Sequence, residues 1–187
     1  MGYCGDSQKD PWNRQYHNEE YGFPIADDNQ LFERFVLEIN QAGLSWSTIL
    51  RKQEAFREAY AGFDIRKVAN FDEGDRARLL SDVGIIRNRL KVNAAITNAQ
   101  RILELSREYG SFKAWLDAHH PRSKAAWVML FKKHFVFVGG EIVGEFLMSA
   151  GYLPGAHEET CPVYAKILAL KPAWAQVEGP DLEGTKV

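Results

Sequence analysis

The sequence has few cysteines and prolines, no long apolar segment, and no excess of one charge sign. It contains two cysteines and seven prolines in 187 residues. Two cysteines exclude a disulfide framework, and because no signal pattern opens the sequence we expect a reducing, cytoplasmic location. No apolar run approaches the roughly 18–20 residues of a membrane span. With 23 basic and 25 acidic residues, bulk charge alone would not hold the chain to nucleic acid.

Apolar residues instead recur at helical spacing over most of the chain, which predicts an all-α fold. Strand signal is scarce, and residues 135–138 are the best strand candidate. The flanks 1–24 and 151–165 are rich in glycine, proline and polar residues, so we expect loops there. We expect one domain over residues 1–177 and a disordered tail over 178–187. Helices are predicted at 28–42, from 45, after 64, at 73–82, at 88–109, after 111, around 127–131 and at 141–150.

Each of the two flanks carries one cysteine and one histidine: Cys4 and His17 at the start, His157 and Cys161 near the end. Zinc prefers four nitrogen or sulfur ligands in a closed tetrahedron when its role is structural. Two pairs from opposite ends would join the termini of a helical body. The alternative is chance proximity in sequence, because a buried cysteine is common and usually inert.

Residues 79–89 join two amphipathic helices through a short turn that contains Gly84, which is the pattern of a helix–hairpin–helix. Backbone N–H groups in such a turn bind a DNA phosphate. Arg87, Arg89 and Lys91 add positive charge nearby. The alternative is an ordinary αα-hairpin with a solvated basic face, and the turn lacks a second glycine.

Glu38 lies within an apolar helical stripe, where a carboxylate needs a partner or a function. The simple alternative pairs it with Arg34, one turn earlier. The following segment, residues 41–46, is a tight turn that carries Leu44 and Trp46. A leucine on such a turn is able to wedge between DNA bases, and a tryptophan is able to stack on an extruded base. The alternative places both side chains in the core.

Taken together, these residues resemble bacterial 3-methyladenine DNA glycosylase I, a family of the helix–hairpin–helix DNA glycosylase superfamily. The resemblance runs from Tyr3 to about Tyr164, and its most specific parts are residues 41–46 and the cysteine–histidine quartet. The matching segments are Tyr16-His17 with Glu20 and Gly22, Leu31-Phe32-Glu33, Leu37-Glu38, Gln41-Ala42-Gly43-Leu44-Ser45-Trp46, Gly84-Ile85-Ile86-Arg87, Phe135-Val136-Phe137-Val138-Gly139, His157 and Cys161.

The resemblance implies a monofunctional glycosylase that flips 3-methyladenine out of alkylated double-stranded DNA and releases the free base. It also implies one structural zinc ion, and we expect a monomer. No lysine matches a Schiff-base nucleophile. The implied roles are catalysis and base recognition for Glu38, base binding for Tyr16 and Trp46, DNA binding for Gly43, Leu44, Gly84, Arg87 and Arg89, and zinc binding for Cys4, His17, His157 and Cys161.

The chain departs from the family pattern near its first helix. Asp6 and Asn13 stand where the family commonly has aromatic residues, and Tyr21 stands where it usually has tryptophan. These changes leave two further hypotheses open: a divergent glycosylase for another alkylated base, and a protein that binds DNA lesions without cutting. A zinc-dependent hydrolase is disfavoured because four protein ligands leave no open position on the metal.

Overall fold

The computed structural model describes residues 3–176, and within that range the chain consists of helices and turns. The expected tail at 178–187 lies outside the described residues. No helix in the described range is long and apolar enough to cross a membrane. The α-helices are α1 (Tyr3–Asp6), α2 (Pro11–Glu19), α3 (Asp28–Gln41), α4 (Trp46–Leu50), α5 (Gln53–Ala59), α6 (Ile65–Ala69), α7 (Glu73–Ser81), α8 (Arg89–Tyr109), α9 (Phe112–His119), α10 (Lys124–His134), α11 (Gly140–Ser149) and α12 (Pro162–Ala169).

Side-chain caps explain where most of these helices begin. Short polar side chains accept hydrogen bonds from N–H groups of the first turn, which have no partner inside the helix. At α7 the cap is reciprocal, because Asp72 accepts from the Asp75 N–H while the Asp75 carboxylate accepts from the Asp72 N–H. The other side-chain caps are Asp10, Asp27, Ser45, Asp64, Asn88, Ser111 and Ser123.

Helix α3 lies at the centre of the fold, and nine of its fourteen residues are buried. It packs against α4, α8, α9 and α11. Phe35 contacts an aromatic cluster whose other members come from α10, α11 and the segment between them: Phe131, Phe135 and Phe146. Since burial of each such ring contributes about 1.5–3 kcal/mol, this cluster fixes the position of α3 and of every functional side chain on it.

Three predictions about local structure are wrong, and one of them is the single helix from residue 45, which is divided into α4 and α5. Residues 135–138 form no strand: Phe137 has φ +56°, which interrupts an extended backbone, and the backbone N–H and C=O of Val136 bond to the side chain of Asn98 instead. The first flank is helical rather than a loop, because Asp10 caps α2 and Pro11 occupies its first position. Proline suits that position because its missing N–H has no helical partner there.

A carboxylate cavity, a cysteine–histidine cluster and a basic turn

Glu38 lines a cavity of about 430 Å³ between α2, α3, α4 and α11. This volume falls within the range typical of small-molecule sites. The structure brings together the three residues predicted to meet a base, since Tyr16, Glu38 and Trp46 all lie in its wall. The remaining lining residues are Tyr3, Tyr21, Gln41, Glu141 and Glu145.

The carboxyl group of Glu38 is buried without an ion pair or a hydrogen-bond donor in the described part of the chain. Its exposed fraction is 4%. Burial raises the pKa of Glu38 from 4.5 to about 8, because a charged carboxylate loses its hydration there; the charge of Glu145 acts in the same direction and Arg34 opposes it. Buried polar groups normally have a partner. An unpartnered carboxyl facing a cavity is therefore a candidate for ligand binding.

The predicted alternative, an ion pair between Glu38 and Arg34, does not form. Arg34 Nη1 donates to the Tyr16 hydroxyl at 2.7 Å, and Nη2 donates to Glu20 at 3.0 Å. The guanidinium carbon lies 4.7 Å from the centre of the Tyr16 ring. Arg34 of α3 therefore bonds to residues on or next to α2, while Glu38 of the same helix faces the cavity.

Trp46 forms one side of the cavity and meets the Tyr16 ring edge-on, with ring centres 5.0 Å apart. Its indole N–H is buried, with no acceptor in the described residues. Just before it, Gly43 adopts φ +82°, a conformation that favours glycine. The resulting turn carries Leu44, whose exposed fraction is 38%. Trp46 is half-buried against the core, while Leu44, two residues earlier, is exposed to solvent.

Lys91 has a structural position rather than the exposed one that the sequence suggested. Its ammonium group donates to the backbone carbonyls of Asn40 and Ala42, both at 2.7 Å. These carbonyls lie at the end of α3, where backbone acceptors lack helical partners and a cation is favourable. Lys91 therefore anchors the turn that carries Leu44 to the start of α8.

The four predicted metal ligands form one cluster: the ligand atoms of Cys4, His17, His157 and Cys161 all lie within 4.8 Å of one another. Cys161 Sγ lies 3.6 Å from His17 Nε2 and 3.6 Å from His157 Nδ1. Cys4 Sγ lies 3.7 Å from His157 Nδ1. Tetrahedral zinc with Zn–S near 2.3 Å and Zn–N near 2.05 Å places sulfur and nitrogen about 3.6 Å apart. The donor set and its spacing therefore fit a metal ion.

The outer nitrogens of both histidines are also engaged. His157 Nε2 lies 2.7 Å from the Tyr21 carbonyl, and His17 Nδ1 lies 2.8 Å from the Asn18 side-chain oxygen. A ligating histidine typically donates its second ring N–H in this way, which fixes the ring and the protonated nitrogen. The cluster joins α1 and α2 to the start of α12, because Cys161 directly precedes α12.

The basic turn between α7 and α8 contains Gly84 and Arg87, and Arg89 is the first residue of α8. A side chain at Gly84 would begin 3.0 Å from the Cβ of Ala55, so glycine allows close packing of the turn on α5. The Gly84 N–H donates to Asp82 Oδ1 at 2.7 Å. Arg87 and Arg89 are exposed and form no ion pair in the described residues.

Tyr3 and Glu145 are cavity residues that the sequence pattern did not identify, whereas Tyr21 is the departure from the family pattern noted above, and it does line the cavity. Tyr3 lies in the wall, and its hydroxyl donates to Asn13 at 3.2 Å. Tyr21 donates to Glu145 Oε2 at 3.0 Å. Neither Asp6 nor Asn13 lines the cavity. Glu145 reaches the cavity only because of how α11 packs against the other helices. Nothing in the sequence pattern of α11 identifies it as a cavity residue.

Comparison with known proteins gives consistent matches over most of the chain. A family profile described as methyladenine glycosylase matches residues 6–124. DNA-3-methyladenine glycosylase 1 of Escherichia coli is 36% identical over 183 residues, covering 88% of this chain and 97% of that protein. DNA-3-methyladenine glycosylase of Haemophilus influenzae is 34% identical, covering 79% and 89%. A structure of 3-methyladenine DNA glycosylase I from Staphylococcus aureus superposes with a TM-score of 0.79 at 33% identity, covering 88% and 97%.

Proposed function

The chain belongs to the methyladenine glycosylase family, and we propose that it hydrolyses the N-glycosidic bond of 3-methyladenine in alkylated double-stranded DNA. The observation that carries this proposal is the buried, unpartnered Glu38 in an aromatic cavity. A purine methylated at N3 has a positive charge while it is attached to the sugar, so its bond is already weakened. The protein needs to extrude the base, recognise it and favour its departure.

Glu38 supplies the charge that recognises such a base. Its raised pKa means that ionisation is unfavourable in the empty cavity. A cationic purine lowers the pKa of a nearby carboxyl, so base entry and ionisation of Glu38 favour each other. The carboxylate then accepts a hydrogen bond from the exocyclic amino group. The face of Trp46 adds cation–π attraction of about 0.5–2 kcal/mol.

The same cavity favours a monofunctional reaction, in which water completes the cleavage and the DNA strand stays intact. Strand cleavage through a Schiff base requires an amine nucleophile at the sugar. No lysine lines the cavity among the described residues. The ionised Glu38 also stabilises the positive charge that develops on the sugar as the base departs.

The turn after α3 and the turn after α7 are the proposed DNA contacts. Leu44 would fill the gap left by the extruded base, with Gly43 giving its turn the required backbone conformation. Arg87 and Arg89 would contact phosphates, and the tight turn at Gly84 would bring the backbone close to the strand. Lys91 of α8 supports this proposal, because its bonds to the carbonyls of Asn40 and Ala42 hold the start of α8 against the turn that carries Leu44.

We infer that the cysteine–histidine cluster holds one zinc ion with a structural role. Four protein ligands complete a tetrahedral shell, so zinc would stabilise the junction between the two ends of a single domain over residues 1–177. The ligands would be Cys4, His17, His157 and Cys161, and their spacing and outer hydrogen bonds support this assignment.

A second candidate substrate is another cationic alkylated purine. It is favoured by Tyr21, which lines the cavity at a position where the family usually has tryptophan, so the wall that a base would contact differs from the family pattern. One experiment addresses both candidates: methylated duplex DNA is incubated with the protein, and the released bases are separated by chromatography.

We expect release of 3-methyladenine, and a reduction of about tenfold to a hundredfold in Glu38→Gln, because a charge-assisted hydrogen bond contributes about 1.5–3 kcal/mol. Glu58→Gln is the matched control, since Glu58 is exposed and remote from the cavity lining. Unchanged release by Glu38→Gln would contradict the role of Glu38. Release of a different base alone would favour the second candidate.

A further inference from the structure

Arg34 is a buried cation beside the cavity, with an exposed fraction of 6%. Both terminal nitrogens of its guanidinium have partners on or next to α2: the Tyr16 hydroxyl at 2.7 Å and the Glu20 carboxylate at 3.0 Å. Burying a charged arginine is unfavourable unless it is paired and hydrogen-bonded, as it is here. The contacts with Tyr16 and Glu20 together therefore hold the guanidinium of Arg34 in one position.

The contact with Tyr16 has a defined direction. A guanidinium has only hydrogen-bond donors, so the Tyr16 oxygen must accept from Arg34. The Tyr16 proton consequently points elsewhere, and no acceptor in the described residues receives it. Burial holds the pKa of Tyr16 well above its ordinary value, so the hydroxyl keeps this proton. Because Tyr16 lines the cavity, the result is a fixed O–H donor in its wall.

We propose that Arg34 is a positioning residue for base recognition, which fixes the Tyr16 hydroxyl as a donor to an acceptor nitrogen of the extruded purine. This inference rests on the proposed function. Without Arg34, the Tyr16 hydroxyl is free to turn its proton away from the cavity and offer a lone pair instead. A purine nitrogen that carries a lone pair would then meet an acceptor rather than a donor, and binding in the reactive orientation would be lost.

A purely structural role for Arg34 predicts a different outcome, and the two roles are separable. In that case Arg34 would only neutralise Glu20 and hold α2 against α3. Its removal would then affect base release whether or not Tyr16 has a hydroxyl. If Arg34 acts through the hydroxyl, its removal matters only while the hydroxyl is present. A double-mutant cycle measures this coupling.

The experiment compares wild type, Arg34→Met, Tyr16→Phe and the double variant in single-turnover release of 3-methyladenine from methylated duplex DNA. Saturating protein separates the release step from DNA binding. We expect Arg34→Met to slow release about tenfold, as loss of one charge-assisted hydrogen bond would. In the Tyr16→Phe background the same substitution should change the rate less than twofold.

Arg57→Met is the matched control, because Arg57 bonds to Glu33 and Glu54 away from the cavity. It should leave the release rate within twofold of wild type. Since Arg34→Met leaves the Glu20 carboxylate unpaired, the charge-neutral variant Arg34→Met/Glu20→Gln repeats the cycle if the single variant unfolds. Thermal unfolding is recorded for every variant.

Equal slowing by Arg34→Met with and without the Tyr16 hydroxyl, in folded proteins, would overturn the inference and assign Arg34 a structural role. An unchanged rate in Arg34→Met would overturn it as well. A wild-type protein that releases no base would instead refute the proposed function, and the inference with it. Active wild type with coupled variants supports both.

Discussion

From the raised pKa of Glu38 we predict how the folding stability of the protein depends on pH, and the prediction can be tested without DNA. Burial raises this pKa from 4.5 to about 8. Between these values the folded protein holds a proton that the unfolded chain releases, so folding stability falls as the pH rises. Stability from the neutral carboxyl is therefore fully present below about pH 4.5 and is lost as the pH passes through 8. Glu38→Gln removes the ionisation and should remove this loss.

The magnitude follows from about 1.4 kcal/mol per pKa unit. The complete effect, above the raised pKa, is about 5 kcal/mol. Between pH 5 and pH 8.5 the free energy of unfolding of wild type should fall by about 4 kcal/mol relative to Glu38→Gln. Other titrating groups, including the histidines of the metal cluster, are present in both proteins and cancel in this difference.

Urea unfolding at pH 5, 7 and 8.5, with the metal content held constant, measures the effect. Glu58→Gln is the control, because it removes a carboxyl that is exposed and unpaired in the described residues. We expect its difference from wild type to stay the same at all three pH values. A difference between wild type and Glu38→Gln that changes by less than about 1 kcal/mol over this range would refute the reasoning. Glu38 would then ionise normally, as a well-hydrated group does.

Three further predictions concern the metal cluster and the DNA contacts. Cys161→Ala should abolish metal binding, measured by elemental analysis, and lower the melting temperature; a chelator should destabilise wild type and leave the variant unaffected. Retained metal would contradict the ligand set. Leu44→Ala should slow base release from duplex DNA several-fold while preserving affinity for free 3-methyladenine, because the wedge acts only on a stacked base. Arg87→Ala and Arg89→Ala should each reduce the slope of log affinity for DNA against log salt by about 1, and an unchanged slope would exclude a phosphate contact.

The helical body was predictable because its signals are local. The apolar spacing of α3, the polar residue before it and the glycine after it fixed its limits to within a residue. The single helix expected from Ser45 is two helices in the structure, α4 and α5, with Arg51 and Lys52 between them. The strand predicted at residues 135–138 is wrong because an apolar run does not show that Phe137 has positive φ.

Some features of the site were predictable from local sequence, and others depend on how the helices pack. Residue types and family motifs identified Tyr16, Glu38 and Trp46, and the structure places them in one cavity. Helical spacing paired Glu38 with Arg34, but the arginine turns to Tyr16 and Glu20, whose positions depend on how α2 packs. Hydrogen-bond partners that are brought together by tertiary packing cannot be predicted from helical periodicity in the sequence.

The balance of charge around the cavity supports the proposal that it binds a cation. The positive charge of Arg34 is matched by Glu20, which leaves Glu38 and Glu145 without an ion pair in the described residues. Burial raises the pKa of both carboxyls. In the proposed function, an entering cationic purine would supply a compensating positive charge, so the free-energy cost of ionising Glu38 would fall on binding. A neutral purine brings no such gain. Under the proposed function, discrimination between damaged and normal bases would follow from the carboxyl groups that form no ion pair in the described residues.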